Sequence, residues 1–269
     1  AARNLLELGV ASGFDFLARE AGFEIGETTF LSHTAADTYL RALLVGILNT
    51  LRVAALAVLL STALGALIGS ARLSRNWLLA HLAGAYVEVV RNVPLVVQLF
   101  FWYAVITESL PAPADALSPL QGVFLSNRGM AFPVPGSLLP FALDYPQFHG
   151  FNFAGGASLS PEFTALLLGL SLYTAAFIAE IFRAGFLSVD RGQSEAGYSL
   201  GLHPRQVNRF IIVPQALRLI VPPVISQYLN CVKNSSLAVA IGYPDLVSIA
   251  NTTINQTGQA VEGFAIIMA

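Results

Sequence analysis

Residues 42–71 are apolar apart from Asn49, Arg52 and a few hydroxyls. A helix crosses a bilayer with about 20 apolar residues, so this run predicts a span that is tilted or protrudes beyond the membrane. Three more spans are expected: one within 77–106, interrupted by Glu88, Arg91 and Pro94; one over 162–187; and one within 210–241, disturbed by Pro214 and by Pro222-Pro223. A soluble domain carries about 25% charged residues. This chain carries 11%, with 55% hydrophobic and a mean hydropathy of +0.66, so its solvent is mostly lipid. The expected fold class is all-α, a polytopic transmembrane helical bundle.

Residues 1–39 are mixed and acidic and lack the ordered regions of a signal peptide; they are expected to lie outside the membrane core, which takes residues 40–269. The first residue is Ala rather than Met, and the chain ends inside an apolar run from Phe264 to Ala269 that is too short to cross a bilayer. The run is therefore expected to belong to a terminal span that is cut off. Residues 107–160 read as a polar, proline-rich loop, with Pro111, Pro113, Pro119, Pro133, Pro135, Pro140 and Pro146; so long a connection is a functional insertion or has lost part of its length. Residues 242–262 read as a second polar loop. Arginines Arg72 and Arg75, and then Arg183, Arg191, Arg205, Arg209 and Arg218, mark two basic segments separated by two spans. By the positive-inside rule that face is cytoplasmic, which leaves 107–160 as an external insertion.

Between the last two spans, residues 192–204 form a short polar island with helix signals at both ends. Ser194 can cap a first helix, Gly201 suits a C′ position with φ > 0, and His203-Pro204 read as cap and N1 of a second. A helix–turn–helix between two spans is a lever presented to something outside the bilayer. Its residues Gly192, Gln193, Glu195, Ala196, Leu200, Gly201 and Leu202, continuing to Pro214-Gln215-Ala216, resemble the EAA loop of ABC importer permeases. In that family the loop, here 190–210, is the cytoplasmic coupling helix that docks into an ATPase subunit.

The resemblance extends further. Thr50-Leu51, the stretch from Glu88 to Gln98, Ala179-Glu180-Ile181-Phe182-Arg183 and Lys233-Asn234-Ser235-Ser236-Leu237 are similar to polar amino-acid ABC permeases. Arg91-Asn92-Val93-Pro94, where the family usually has Arg-Gly-Thr-Pro, is similar to the general L-amino-acid subgroup. The resemblance implies a type I ABC importer transmembrane domain that translocates amino acids, of broad specificity, across the inner membrane. It implies a second permease subunit, identical or homologous, two ABC ATPases and a periplasmic amino-acid-binding protein. Members of the subgroup usually carry a span before the segment seen here and further apolar segments in the insertion. The junction from Pro135 to Pro140 is where such residues would be missing.

Other chemistries fail. The net charge of −2 implies no nucleic acid. Cys231 is the sole cysteine, His33, His81, His149 and His203 are scattered, and neither a metal set nor a catalytic serine elbow is present. Lys233 is the sole lysine and Asn234 follows it, so the chain has no Walker A loop. ATP and Mg belong on partner ATPase subunits, and no cofactor is expected on this chain. The rival reading is a membrane-embedded scaffold or enzyme that uses 192–204 as a docking site.

Ionisable residues inside spans are functional candidates: Arg52, Glu88, Arg91, Glu180, Arg183 and Lys233. Glu88/Arg91 and Glu180/Arg183 share i, i+3 spacing and read either as local ion pairs or as an inner gate. Lys233 has no carboxylate within a helical turn of sequence, and reads as an interhelical tie or as a ligand for a substrate carboxylate. Arg52 could serve in its place; Glu88, Asn49, Gln98 or Asn234 could accept from a substrate ammonium group. Ser235 completes this candidate pathway set. Gly65 and Gly69, four residues apart, predict close helix packing.

Overall fold

The computed structural model describes residues 13–135 and 143–268. Contacts divide the chain into two units. One takes the described residues of 1–54, 98–167 and 235–269; the other takes 55–97 and 168–234. The junction from Pro135 to Pro140 lies largely outside the described residues.

Helix α1 (Tyr39–Arg72) covers the first expected span. It is long because nothing in the apolar run breaks it, and it carries exposed leucines such as Leu59 and Leu67 that only lipid or another apolar surface can cover. The second expected span is broken at Pro94, one of the interruptions expected in it. Helix α2 (Trp77–Asn92) and helix α3 (Leu95–Ala104, extended by a π turn to Ser109) are bent by 104° at the two residues between them. Val93 adopts φ −94°, ψ 127°, because the following proline ring disfavours helical geometry at the residue before it.

The insertion is not a loop, and this corrects the all-α expectation. Strands β1 (Leu117–Leu120), β2 (Val123–Ser126), β3 (Gly129–Phe132) and, after a gap, β8 (Ala157–Leu159) form an antiparallel sheet in the order β1-β2-β3-β8. Two smaller hairpins pair β4 (Val134–Pro135) with β5 (Leu143–Asp144), and β6 (Gln147–His149) with β7 (Asn152–Ala154). The turns use Gly122, Gly129 and Gly150, all at positive φ. The prolines among the described residues fall at edges and in connections, where a missing N–H breaks no central ladder.

Helix α4 (Pro161–Leu187) is the third span. Ser160 caps it, its Oγ accepting from Phe163 N–H at 3.1 Å, and Pro161 stands at its first position. Helices α5 (Arg191–Ser199) and α6 (Pro204–Val207) follow, then a π segment over Asn208–Ile212 that runs directly into α7 (Val213–Asn234). The whole stretch Pro204–Ile241 is long and apolar enough to cross a membrane. The π segment ends just before Pro214, whose ring cannot fit a regular i−4 contact. Residues 242–262 depart from the expected polar loop. They contain α8 (Leu246–Thr257), followed by α9 (Ala260–Met268). Asp245 caps α8 by accepting from Ser248 N–H at 2.8 Å, and Gly258 (φ 72°) closes it.

In the first unit, Phe16, Ile25, Tyr39, Leu43, Val45 and Ile249 are buried in one apolar cluster. The N-terminal segment is thus packed on the start of α1 and on α8. In the second unit, Ile178, Ala216, Ile220 and Val224 join α4 to α7. There α1 meets α4 through Gly65 and Gly69: a Cβ at either would lie 2.6 Å from Ile178 or 2.8 Å from Phe182. The expected close approach is present.

Candidate functional site

The polar island forms two short helices locked at a fixed angle. Asp190, not Ser194, caps α5: its Oδ1 accepts from Gly192 N–H at 2.6 Å. Asp is as good a cap as Ser, and its earlier position starts the helix sooner and leaves Ser194 inside it. Gly201 has φ 76°. Leu202 N–H donates to Gly197 O at 3.1 Å and Gly201 N–H to Tyr198 O at 2.9 Å, the paired bonds of a Schellman stop. Gln206 Oε1 then accepts from His203 N–H at 2.8 Å, with Pro204 at the first position of α6. Gly197 is buried against Val207 and Ile211, where a Cβ would approach to 2.9 Å. Gln193 accepts from the Gln215 side-chain amide at 3.1 Å, so α5 is also tied to α7. Glu195 and Ala196 are exposed, and so are Tyr198 at 50% and Leu200 at 80%.

A second constellation lies where α1 ends. Glu180 receives Arg183 Nη2 at 2.6 Å and also binds Arg72 Nη1. The i, i+3 pair expected of Glu180 and Arg183 is therefore present, with Arg72 as a third member. Glu88 and Arg91 are not joined by an ion pair among the described residues; the Arg91 guanidinium lies 4.9 Å from the centre of the Phe177 ring. Glu88 instead faces a cleft of ≈ 410 Å³ that Arg72, His81 and Arg183 also line. The cluster thus holds two arginines and one bridging carboxylate, with a second carboxylate lining the same cleft.

In the other unit, Asn49 and Arg52 meet the N-terminal segment. Arg52 Nη1 binds Glu27 Oε1 at 2.7 Å and also Thr29 Oγ1, and its guanidinium lies 4.2 Å from the Phe163 ring centre. Asn49 Nδ2 donates to Glu27 O and Pro244 O, each at 3.0 Å. Ser160 Oγ donates to Glu27 Oε2 at 2.5 Å. Glu27 was legible only as one of several acidic residues, because its partners lie 25 and 133 positions away. Gln98 is buried in the first turn of α3, Lys233 and Asn234 close α7, and Ser235 is buried at the start of the 3-10 segment Ser235–Ile241. A cation in a last helical turn also complements the helix dipole.

Beside this hub Asp245 is 1% exposed, and burial raises its carboxyl to about 6. A raised acid binds its proton more readily in the fold than in the unfolded chain. Stability therefore falls as pH rises from about 4 through about 6. Asp245→Asn keeps the cap and removes the charge, so it is expected to stabilise the fold by up to about 3 kcal/mol at pH 7.5, read as a higher melting temperature in detergent, and to change little at pH 4. An equal shift at both pH values would contradict this origin.

Residues 61–269 match the family of the binding-protein-dependent transport system inner membrane component. The chain is 43% identical to the general L-amino acid transport system permease protein AapQ of Rhizobium johnstonii, over 96% of this chain and 79% of that one. It is 44% identical to the putative amino-acid ABC transporter permease protein YhdX of Escherichia coli, over 99% and 82%. Both alignments, of 316 and 324 positions, are longer than the 269 residues of the chain, so the relatives hold internal residues that it lacks. Among solved structures, a crystal structure of an amino acid ABC transporter with histidines aligns with a TM-score of 0.60 and 27% identity, covering 86% of each chain. The inward-facing MetNI methionine ABC transporter shares the fold, with a TM-score of 0.54 at 17% identity.

Proposed function

The chain belongs to the family of binding-protein-dependent transport system inner membrane components, and we propose on that premise how it works as the permease subunit of an amino-acid ABC importer. Its relatives are transporter permease subunits rather than enzymes. The observation that carries the mechanism is the lever at 191–212: a capped, exposed α5 wedged through Gly197 against the helical stretch that continues to Ile241. An ATPase subunit docked on Glu195, Tyr198 and Leu200 would move that stretch as one piece. ATP and Mg act on the ATPase chains. Two permease subunits and two ATPases surround the pathway, and a soluble binding protein delivers the amino acid outside.

In this reading the ends of α1 and α4 near Arg72, Glu180 and Arg183 face the cytoplasm with the lever, while the β insertion faces out. Partner exchange among Arg72, Glu88, Glu180 and Arg183 would serve as an inner gate. The substrate is an L-amino acid recognised by its α-amino and α-carboxylate groups, which fits relatives named for general L-amino acids and for glutamate, glutamine, aspartate and asparagine. Lys233, Asn234, Ser235 and Gln98 remain candidates to line the pathway.

Orientation is testable with single cysteines in a Cys231→Ser background, since Cys231 is buried. Phe151 is 84% and Leu200 80% exposed. Phe151→Cys should react with a membrane-impermeant thiol reagent added outside, and Leu200→Cys only once the inner face is opened. The reverse pattern would place the lever away from ATP and reject the mechanism.

A further inference from the structure

Between the N-terminal segment and the sheet of the insertion lies a cleft of ≈ 350 Å³, lined among others by Glu27, Arg128, Met130, Asn152, Phe153 and Ser158. That volume is at the small end of ligand pockets. Its two charged linings have opposite sign, and each is held by its surroundings. Glu27 spends one acceptor site of each oxygen on Arg52 and Ser160; a carboxylate has about four such sites, so two remain. Arg128 occupies the two-residue turn between β2 and β3, where Ser126 pairs with Gly129. Its own N–H donates to Ser126 Oγ at 3.3 Å, and Asn127 N–H donates to Pro111 O at 2.8 Å. Gly129 follows at φ 99°, so close to β8 that a Cβ would lie 2.0 Å from Leu159 O. The turn cannot shift without breaking these contacts, which fixes the base of the arginine. Phe153, stacked on Phe124 at 4.7 Å, makes an apolar wall.

We propose that this cleft binds a free α-amino acid, with Glu27 receiving the α-ammonium group and Arg128 the α-carboxylate. The remaining lining residues named here are apolar or neutral, so the side chain of the ligand is accommodated rather than read. The site rests on the reading of the chain as an amino-acid permease and adds to it an external point of capture at the insertion, beside the first residue of α4. Arg128 is exposed and is well placed to meet the ligand first, since guanidinium–carboxylate pairs form bidentate bonds.

The test uses the purified full chain in nanodiscs, without partner subunits, titrated with L-glutamine and with its methyl ester, which lacks the carboxylate. Saturation-transfer NMR should show saturable glutamine binding. Arg128→Gln should weaken it about tenfold or more, the loss of one charge-assisted bond, and the ester should bind equally weakly to both forms. Ser158→Trp, on the exposed face of β8, keeps both charges and fills the cleft, so it should abolish binding even if Arg128→Gln proved hard to purify. Saturable binding of unchanged affinity in both variants places the amino acid elsewhere and overturns the site. Absence of saturable binding to the unaltered chain also overturns it. Uptake by the assembled importer, measured in parallel, separates the two readings. Uptake without cleft binding retires the cleft alone, whereas an importer that moves no amino acid fails the permease reading and the cleft with it.

Discussion

Gly201→Val is expected to remove most ATP-coupled transport, about tenfold or more, while leaving the spans folded. The left-handed backbone at Gly201 (φ 76°) disfavours an L side chain by roughly 1–2 kcal/mol, and a β-branched one more. The penalty is purely one of backbone, because a Cβ there meets nothing within 4 Å. Relief comes only by rotating the turn, which breaks the bonds from Leu202 to Gly197 and from Gly201 to Tyr198 and swings α5 away from α6. Gly201→Asn, which tolerates the same backbone, should therefore keep most activity. Glu195→Lys reverses charge on the exposed face of α5 and should weaken ATPase docking with no loss of melting temperature. Stimulation of ATPase activity by loaded binding protein, in proteoliposomes, reads all three. Full stimulation in Gly201→Val would show that the angle between the helices is irrelevant.

The second large effect is on stability. Glu180→Gln leaves Arg72 and Arg183 without the carboxylate they share. Their side chains are 15% and 32% exposed, so solvent screens part of the charge. The expected destabilisation is about 2 kcal/mol, below the value for a fully buried pair. Arg183→Gln should be milder, since Arg72 still holds Glu180. Arg72→Met, Glu180→Met and Arg183→Met combined should recover much of the loss, because neither arginine is then left without its carboxylate. Thermal unfolding in detergent separates these variants. Equal melting temperatures for Glu180→Gln and the unaltered chain would reduce the cluster to a surface contact.

The long spans were legible because apolar length alone implies a helix in lipid, and their ends fell within a few residues of those expected. The lever was legible because Gly201, His203 and Pro204 each have a local backbone role that needs no distant partner. Ser194 failed as a cap because Asp190, four residues earlier, offers the same acceptor. The insertion was misread for a different reason. Its prolines suggested irregular chain, yet Val123-Phe124-Leu125-Ser126 and Gly129-Met130-Ala131-Phe132 flank a two-residue turn, a hairpin signal. The same holds for α8, where Asp245 and Gly258 were cap signals inside a stretch judged only by its polarity. The Glu27–Arg52 and Arg72–Glu180 pairs were beyond reach, since a sequence shows i, i+3 neighbours but not partners 25 or 108 positions apart.

Uptake of a radiolabelled L-amino acid into proteoliposomes is the most direct measurement of the central claim. The vesicles would contain this permease, its ATPase partner and loaded binding protein, with ATP supplied on the side of the lever. Uptake should require ATP and the ATPase chain and should fall with Gly201→Val. Uptake that proceeds without the ATPase chain, or ATP hydrolysis with no amino acid moved, would contradict it.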